Sequence, residues 1–169
     1  MRHRPTRRLM LTLALSGLLG ACSSPPPAPG TADAAQQWSG RMALHVAPAT
    51  PDGPAHSVSA SFHLQGSPAQ GSLDVFTPLG TQVAALTWGK GWARLQQGQQ
   101  VRQSAALADL VRDSLGADVP IPALFAWLQG QPLQAAGWQV DLAQYARGRI
   151  NAQRLHPAPQ AQLKIILQP

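Results

Sequence analysis

Apolar and polar residues alternate in short runs from Met42 to Leu167, and only a middle stretch departs from that period. Met42, Leu44 and Val46 alternate with Ala43 and His45, and Val58, Ala60, Phe62 and Leu64 alternate with Ser59, Ser61 and His63. A period of two gives each strand one apolar and one polar face. Between these runs Ala47 to His56 holds Pro48, Pro51, Asp52, Gly53 and Pro54, which predicts a long hairpin connection. Gly66-Ser67-Pro68 makes the next turn, before Leu73-Asp74-Val75-Phe76. After Thr77-Pro78-Leu79-Gly80 the pattern returns over Thr81 to Trp88, turns at Gly89-Lys90-Gly91, runs back over Trp92 to Gln96, and ends in a short strand around Val101. Successive hairpins of this kind predict an antiparallel meander.

The period then lengthens. Leu107, Leu110, Val111, Ser114 and Leu115 stand three and four residues apart, with Ser104 as the expected N-cap and Gly116 as the stop. A second helix is expected from Pro120-Ile121-Pro122 to Gly130, carrying Leu124, Phe125, Trp127 and Leu128. Strand patterns resume at Trp138 to Leu142, Arg149 to Ala152 and Leu163 to Leu167. Many strands with two helices inserted mid-chain predict an α+β domain whose helices lie across a curved antiparallel sheet.

The first 35 residues read differently. Arg2, Arg4, Arg7 and Arg8 precede an apolar run from Leu9 to Leu19, and small residues lead to Cys22, the only cysteine. That order is the grammar of a secretory signal over residues 1–21, with an apolar run too short to span a bilayer. Leu19-Gly20-Ala21-Cys22 resembles the bacterial lipobox, which implies that the Cys22 thiol carries a diacylglycerol and its new amino terminus an acyl chain. Ser23 to Ala35, rich in Pro, Ala, Ser and Gly, then reads as a tether within residues 22–35 that could extend about 40 Å in polyproline form. Residues 36–169 are enough for one domain of ordinary size.

Removing the signal changes the charge picture. The whole chain carries +6, but residues 22–169 hold nine basic and seven acidic residues, a net +2. No clustered basic face argues for nucleic acid, and Arg147, Arg149 and Arg154 read as one solvated strand face. All acids are Asp, scattered without the paired spacing that acid/base catalysis needs. His45 and His63 fall on neighbouring strands without cysteine or glutamate, a poor metal set. Without a nucleophile–base pair, the expectation is a protein that is not an enzyme and holds no metal or cofactor beyond the lipid on Cys22.

Trp38-Ser39-Gly40-Arg41-Met42, Phe62, Pro78-Leu79-Gly80, Val119-Pro120-Ile121-Pro122 and Trp127-Leu128-Gln129-Gly130-Gln131-Pro132, in this order behind a lipobox, resemble the outer-membrane lipoprotein receptor and insertase family LolB. The resemblance covers Trp38 to Leu142 and thins beyond, where the C-terminal part looks short and the expectation is that it lacks a strand pair seen in longer relatives, leaving the closing edge of the barrel open. It implies an unclosed β-barrel with a helical lid over an apolar cavity, holding the acyl chains of lipoprotein cargo received from the periplasmic carrier LolA. It also implies a monomer lipid-anchored on the periplasmic face of the outer membrane, and Ser23 rather than Asp after the cysteine suits that address.

Candidates to line the cavity are Met42, Leu44, Phe62, Leu64, Leu73 and Val75 on strands, and Leu107, Leu110, Val111, Leu124, Phe125, Trp127 and Leu128 on helices. Periodicity alone allows a filled core instead, since protein interiors are close-packed, and such a protein would be a structural accessory. Pro78 and Gly80 bracket Leu79 in a tight turn. Turn chemistry alone lets Leu79 fold back as an anchor, whereas the resemblance implies that it protrudes and touches outer-membrane lipid during insertion. The five tryptophans are expected in the core or at its polar boundary, with Trp127 the one expected to touch lipid.

Overall fold

A computed structural model describes residues 36–48, 50 and 52–168; the signal, Cys22 and the tether lie outside them. Nine strands form one antiparallel sheet: β1 Gln37–Val46, β2 His56–Gly66, β3 Gly71–Phe76, β4 Gln82–Gly89, β5 Trp92–Gln97, β6 Gln100–Ser104, β7 Trp138–Asp141, β8 Arg149–Arg154 and β9 Ala161–Leu167. Their order across the sheet is β6-β5-β4-β3-β2-β1-β9-β8-β7, so β6 and β7 are edges and the sheet does not close. Two helices, α1 Leu107–Leu115 and α2 Ile121–Leu128, connect the edges in sequence. The domain is therefore an unclosed antiparallel barrel with helices over its inner face.

Alternation decides which side chains face inward. On β1, Leu44 and Val46 are buried while Arg41 and His45 are exposed, and on β2, Ala60, Phe62 and Leu64 are buried. The inner faces and both helices form one continuous hydrophobic cluster, within a compact unit that spans Asp33–Pro169. A unit with its own complete core is expected to fold independently. Strand β1 sits between β2 and β9, and Gly40 is what lets β9 come close. A Cβ there would collide with the carbonyl oxygen of Ile166.

All nine expected strands are present, with three departures in detail. Ser104 is not the N-cap of α1: its backbone pairs with Ala93 at the end of β6, Ala106 takes the N-cap position without a side-chain bond, and the Ser104 hydroxyl accepts from the Ala106 N–H at 3.2 Å. Second, α2 ends at Leu128, one turn residue before Gly130, which follows at φ 77°. Third, Arg149 and Arg154 do not share a face. Five residues apart on one strand, they must point to opposite sides; Arg149 is exposed, and Arg154 is buried.

Candidate functional site

The inner face of the sheet is built from cross-strand rows. Leu64 pairs with Leu73, Leu73 with Leu86, and Leu86 with Leu95, so four leucines line up across β2 to β5. The neighbouring row runs Phe62, Val75, Ala84. Met42 pairs with Ile165, and Leu44 with Leu163, carrying the apolar wall onto β9. Over these rows lie Leu107, Leu110, Val111 and Leu115 from α1 and Ile121, Leu124, Phe125 and Leu128 from α2. Between sheet and helices is a cavity of about 290 Å³.

Its chemistry is nearly all hydrocarbon. The polar residues at its wall are Gln97 and Ser114, and the Ser114 hydroxyl is occupied: it donates to the Leu110 carbonyl at 2.6 Å and accepts from Arg102 at 3.0 Å. A cavity with two polar side chains at its wall, one of them already paired at its hydroxyl, gives water little to bind and suits an apolar guest. Val58 and Val83, both more than a third exposed, stand where the lining meets solvent.

The two helices sit differently. On α2, Ala123, Phe125, Ala126, Trp127 and Leu128 are all buried, and Trp38 packs edge-on against Phe125 at 5.5 Å while donating to the Leu128 carbonyl. On α1 only Leu110 is buried. Helix α1 is instead tied to the sheet by a polar contact, from Arg102 on β6 to Ser114, while Arg112 pairs with Asp109 within the helix at 2.6 Å. The connection after it is pinned by Asp118, whose carboxylate lies 3.6 Å from Arg112 and 3.7 Å from the buried Arg154, and whose carbonyl accepts from Trp138.

The turn between β3 and β4 presents Leu79. Thr77 N–H donates to the Thr81 carbonyl at 2.8 Å, Gly80 N–H to the Thr77 carbonyl at 2.9 Å, and Thr81 N–H to the Thr77 hydroxyl at 3.2 Å. Gly80, at φ 86°, takes the left-handed conformation that closes the turn. With the backbone so held, Pro78 and Gly80 are exposed and Leu79 is 95% exposed. The strands it joins bring Val75, Val83 and Ala84 to the cavity, so the leucine stands four residues from the lining on either side.

Of the candidate lining residues, Met42, Leu44, Phe62, Leu64, Leu73, Val75, Leu107, Leu110, Val111, Leu124, Phe125 and Leu128 stand around the cavity. Trp127 does not. It is wholly buried on the far side of α2, donating to the Leu133 carbonyl at 2.9 Å and packing on Trp138 at 6.0 Å. Helix α2 is apolar nearly all round, so its sequence carries no polar face to say which way Trp127 points. Leu86, Leu95, Leu163 and Ile165 were not singled out by sequence; they have the right alternation, but only the strand register brings them to the wall. His45 contacts Ser57 at 2.8 Å and His63 packs edge-on against Phe76, so the two histidines serve separate places on the outer face.

Comparison with known proteins matches residues 35–156 to the family described as Outer membrane lipoprotein LolB. Outer-membrane lipoprotein LolB of Bordetella petrii is 30% identical over 171 residues, covering 87% of this chain and 85% of that protein. The protein of that name from Bordetella parapertussis is 32% identical over 127 residues, 75% of this chain and 63% of its own length. A third, from Thiobacillus denitrificans, is 27% identical over 163 residues, covering 82% and 84%.

Proposed function

The chain belongs to the outer membrane lipoprotein LolB family, and from that premise we propose that it is a lipid-anchored receptor that accepts lipoproteins from the periplasmic carrier LolA and inserts them into the outer membrane. The observation that carries this reading is the apolar cavity of about 290 Å³ under α1 and α2, with Leu79 exposed at the turn beside it.

Acyl chains resist leaving an apolar shelter, at about 0.8 kcal/mol per buried methylene. Cargo therefore passes from the carrier's shelter to this one without entering water. Direction needs only a ladder of affinities, with this cavity above the carrier and the bilayer above both. No nucleotide, metal or catalytic step is required, and the protein acts as a monomer.

Several acyl chains need more room than the cavity offers, and α1 is the element that yields. It commits one buried side chain where α2 commits five, so it is the lid and α2 is part of the wall. Leu79 then meets lipid at the moment of release. Burial of one leucine is worth only about 1.5–3 kcal/mol, enough to touch a bilayer and too little to anchor the protein.

The test is uptake of an apolar fluorescent probe by residues 33–169, followed by its displacement with a triacylated lipopeptide. Uptake with full displacement is expected. A core that admits no probe would instead describe a structural accessory.

A further inference from the structure

The outer face of the sheet carries a second feature that the cavity does not use. Strand β9 lies between β1 and β8, and one cross-strand row places Arg41, Ile166 and Arg149 side by side. Two residues along β9, Lys164 points to the same face, opposite Ala43 and Asn151. Neighbouring strands are about 4.8 Å apart, so the three cations stand within one side chain's reach of each other. All three are exposed, and Ile166 between them is 49% exposed.

No described carboxylate pairs with them. Among the described residues the ion pairs within 4.0 Å involve only Arg112 and Arg154 as cations. The described acids on the neighbouring outer surface are Asp141, on the edge strand β7 opposite Asn151, where it accepts the Ala143 N–H, and Asp74 on β3, two strands from β1, where it accepts from Gln82 at 2.7 Å. Three like charges around an exposed aliphatic side chain repel each other unless an anion covers them.

We infer that this face docks on the anionic phospholipid surface of the membrane. Two observations favour lipid over an acidic protein. The centre of the patch is a bare isoleucine rather than a hydrogen-bonding group, and cations around an exposed apolar residue form the pattern of an interfacial contact. The same row continues through Ser61 to Phe76, the last residue of β3, and the Leu79 turn begins at the next position. A sheet lying with this face toward headgroups thus brings the exposed leucine toward the same surface. The inference deepens the proposed function by naming the lipid chemistry that positions the domain, and it rests on the membrane location alone, not on the cavity's cargo.

The experiment is sedimentation of residues 33–169, without the lipid anchor, with phosphatidylcholine vesicles that contain or lack phosphatidylglycerol, at low and high salt. Binding only to the phosphatidylglycerol vesicles, weakened by salt as exposed charges are, is expected. The triple variant R41Q/R149Q/K164Q should bind about a hundredfold more weakly, about fivefold per cation removed. Its circular dichroism and apolar-probe uptake should match the parent domain, which separates this inference from the cavity reading. Equal binding by variant and parent, or parent binding that ignores vesicle charge, would overturn it. So would retention on an acidic protein with no affinity for the anionic vesicles.

Discussion

At the scale of single residues, exposure and collision make opposite demands. Leu79 touches nothing that a substitution would disturb, and its turn is held by Thr77, Gly80 and Thr81. Leu79→Glu is therefore expected to change stability by less than about 0.5 kcal/mol. Cargo acceptance should stay near normal, while delivery to vesicles in a reconstituted transfer assay should fail. Equal delivery by variant and parent would remove Leu79 from the mechanism. Gly40 is the reverse case, since any side chain there meets the β9 backbone. Gly40→Val should cost at least about 2 kcal/mol in urea unfolding, because β9 cannot move without giving up its pairing with β1.

Single residues are legible in the sequence where their chemistry is local and silent where it is not. The proline and glycine around Leu79 announce a turn, but nothing in them says whether the side chain folds back; that depends on how the hairpin end stands off from the core. Arg154 was legible by parity, being an odd number of residues from Arg149 on the same strand. A cluster of arginines close in sequence concealed it.

At the scale of elements, the nine strands and two helices were readable because alternation and three-to-four spacing are properties of the chain alone. Register is not. The line Leu64, Leu73, Leu86, Leu95 depends on how long each hairpin connection is in space, and that row makes the floor of the cavity. Helix depth was also hidden: the amphipathic α1 rides on the sheet, and the nearly all-apolar α2 sinks into it with Trp127 turned away. Asp118 is the joint between them. Replacing it by Asn leaves the Arg154 guanidinium buried beside a neutral group, although Asp118 itself is more than half exposed and water screens much of the attraction. Asp118→Asn is expected to lower stability by about 1 kcal/mol, and to speed amide exchange in α1 more than in α2. Uniform exchange across both helices would mean that the contact is not what seats the lid.

At the scale of the whole molecule, the unclosed barrel separates three jobs. On the proposed reading, the inner face shelters hydrocarbon, the Leu79 turn meets lipid, and the outer face of β1, β9 and β8 offers cations to the membrane surface. The lipid expected on Cys22 is then proposed to serve location rather than recognition, because the described residues around the cavity all lie in the compact unit beyond it. A Cys22→Ser protein prepared without its signal is expected to accept cargo from the carrier and, at high salt, to stay in the supernatant when outer-membrane fragments are sedimented. If it accepted no cargo, the anchor would be part of the binding site.

The proposed function turns on acyl chains occupying the space between the sheet and α1. A photo-reactive phenylalanine analogue placed at Val75, on the cavity wall, and in a second protein at Gln153, on the outer face, tests it directly. With cargo whose acyl chains are radiolabelled, crosslinking is expected from position 75 and not from position 153. Equal labelling at both positions, or none at position 75 from a protein that has bound its cargo, would contradict the account.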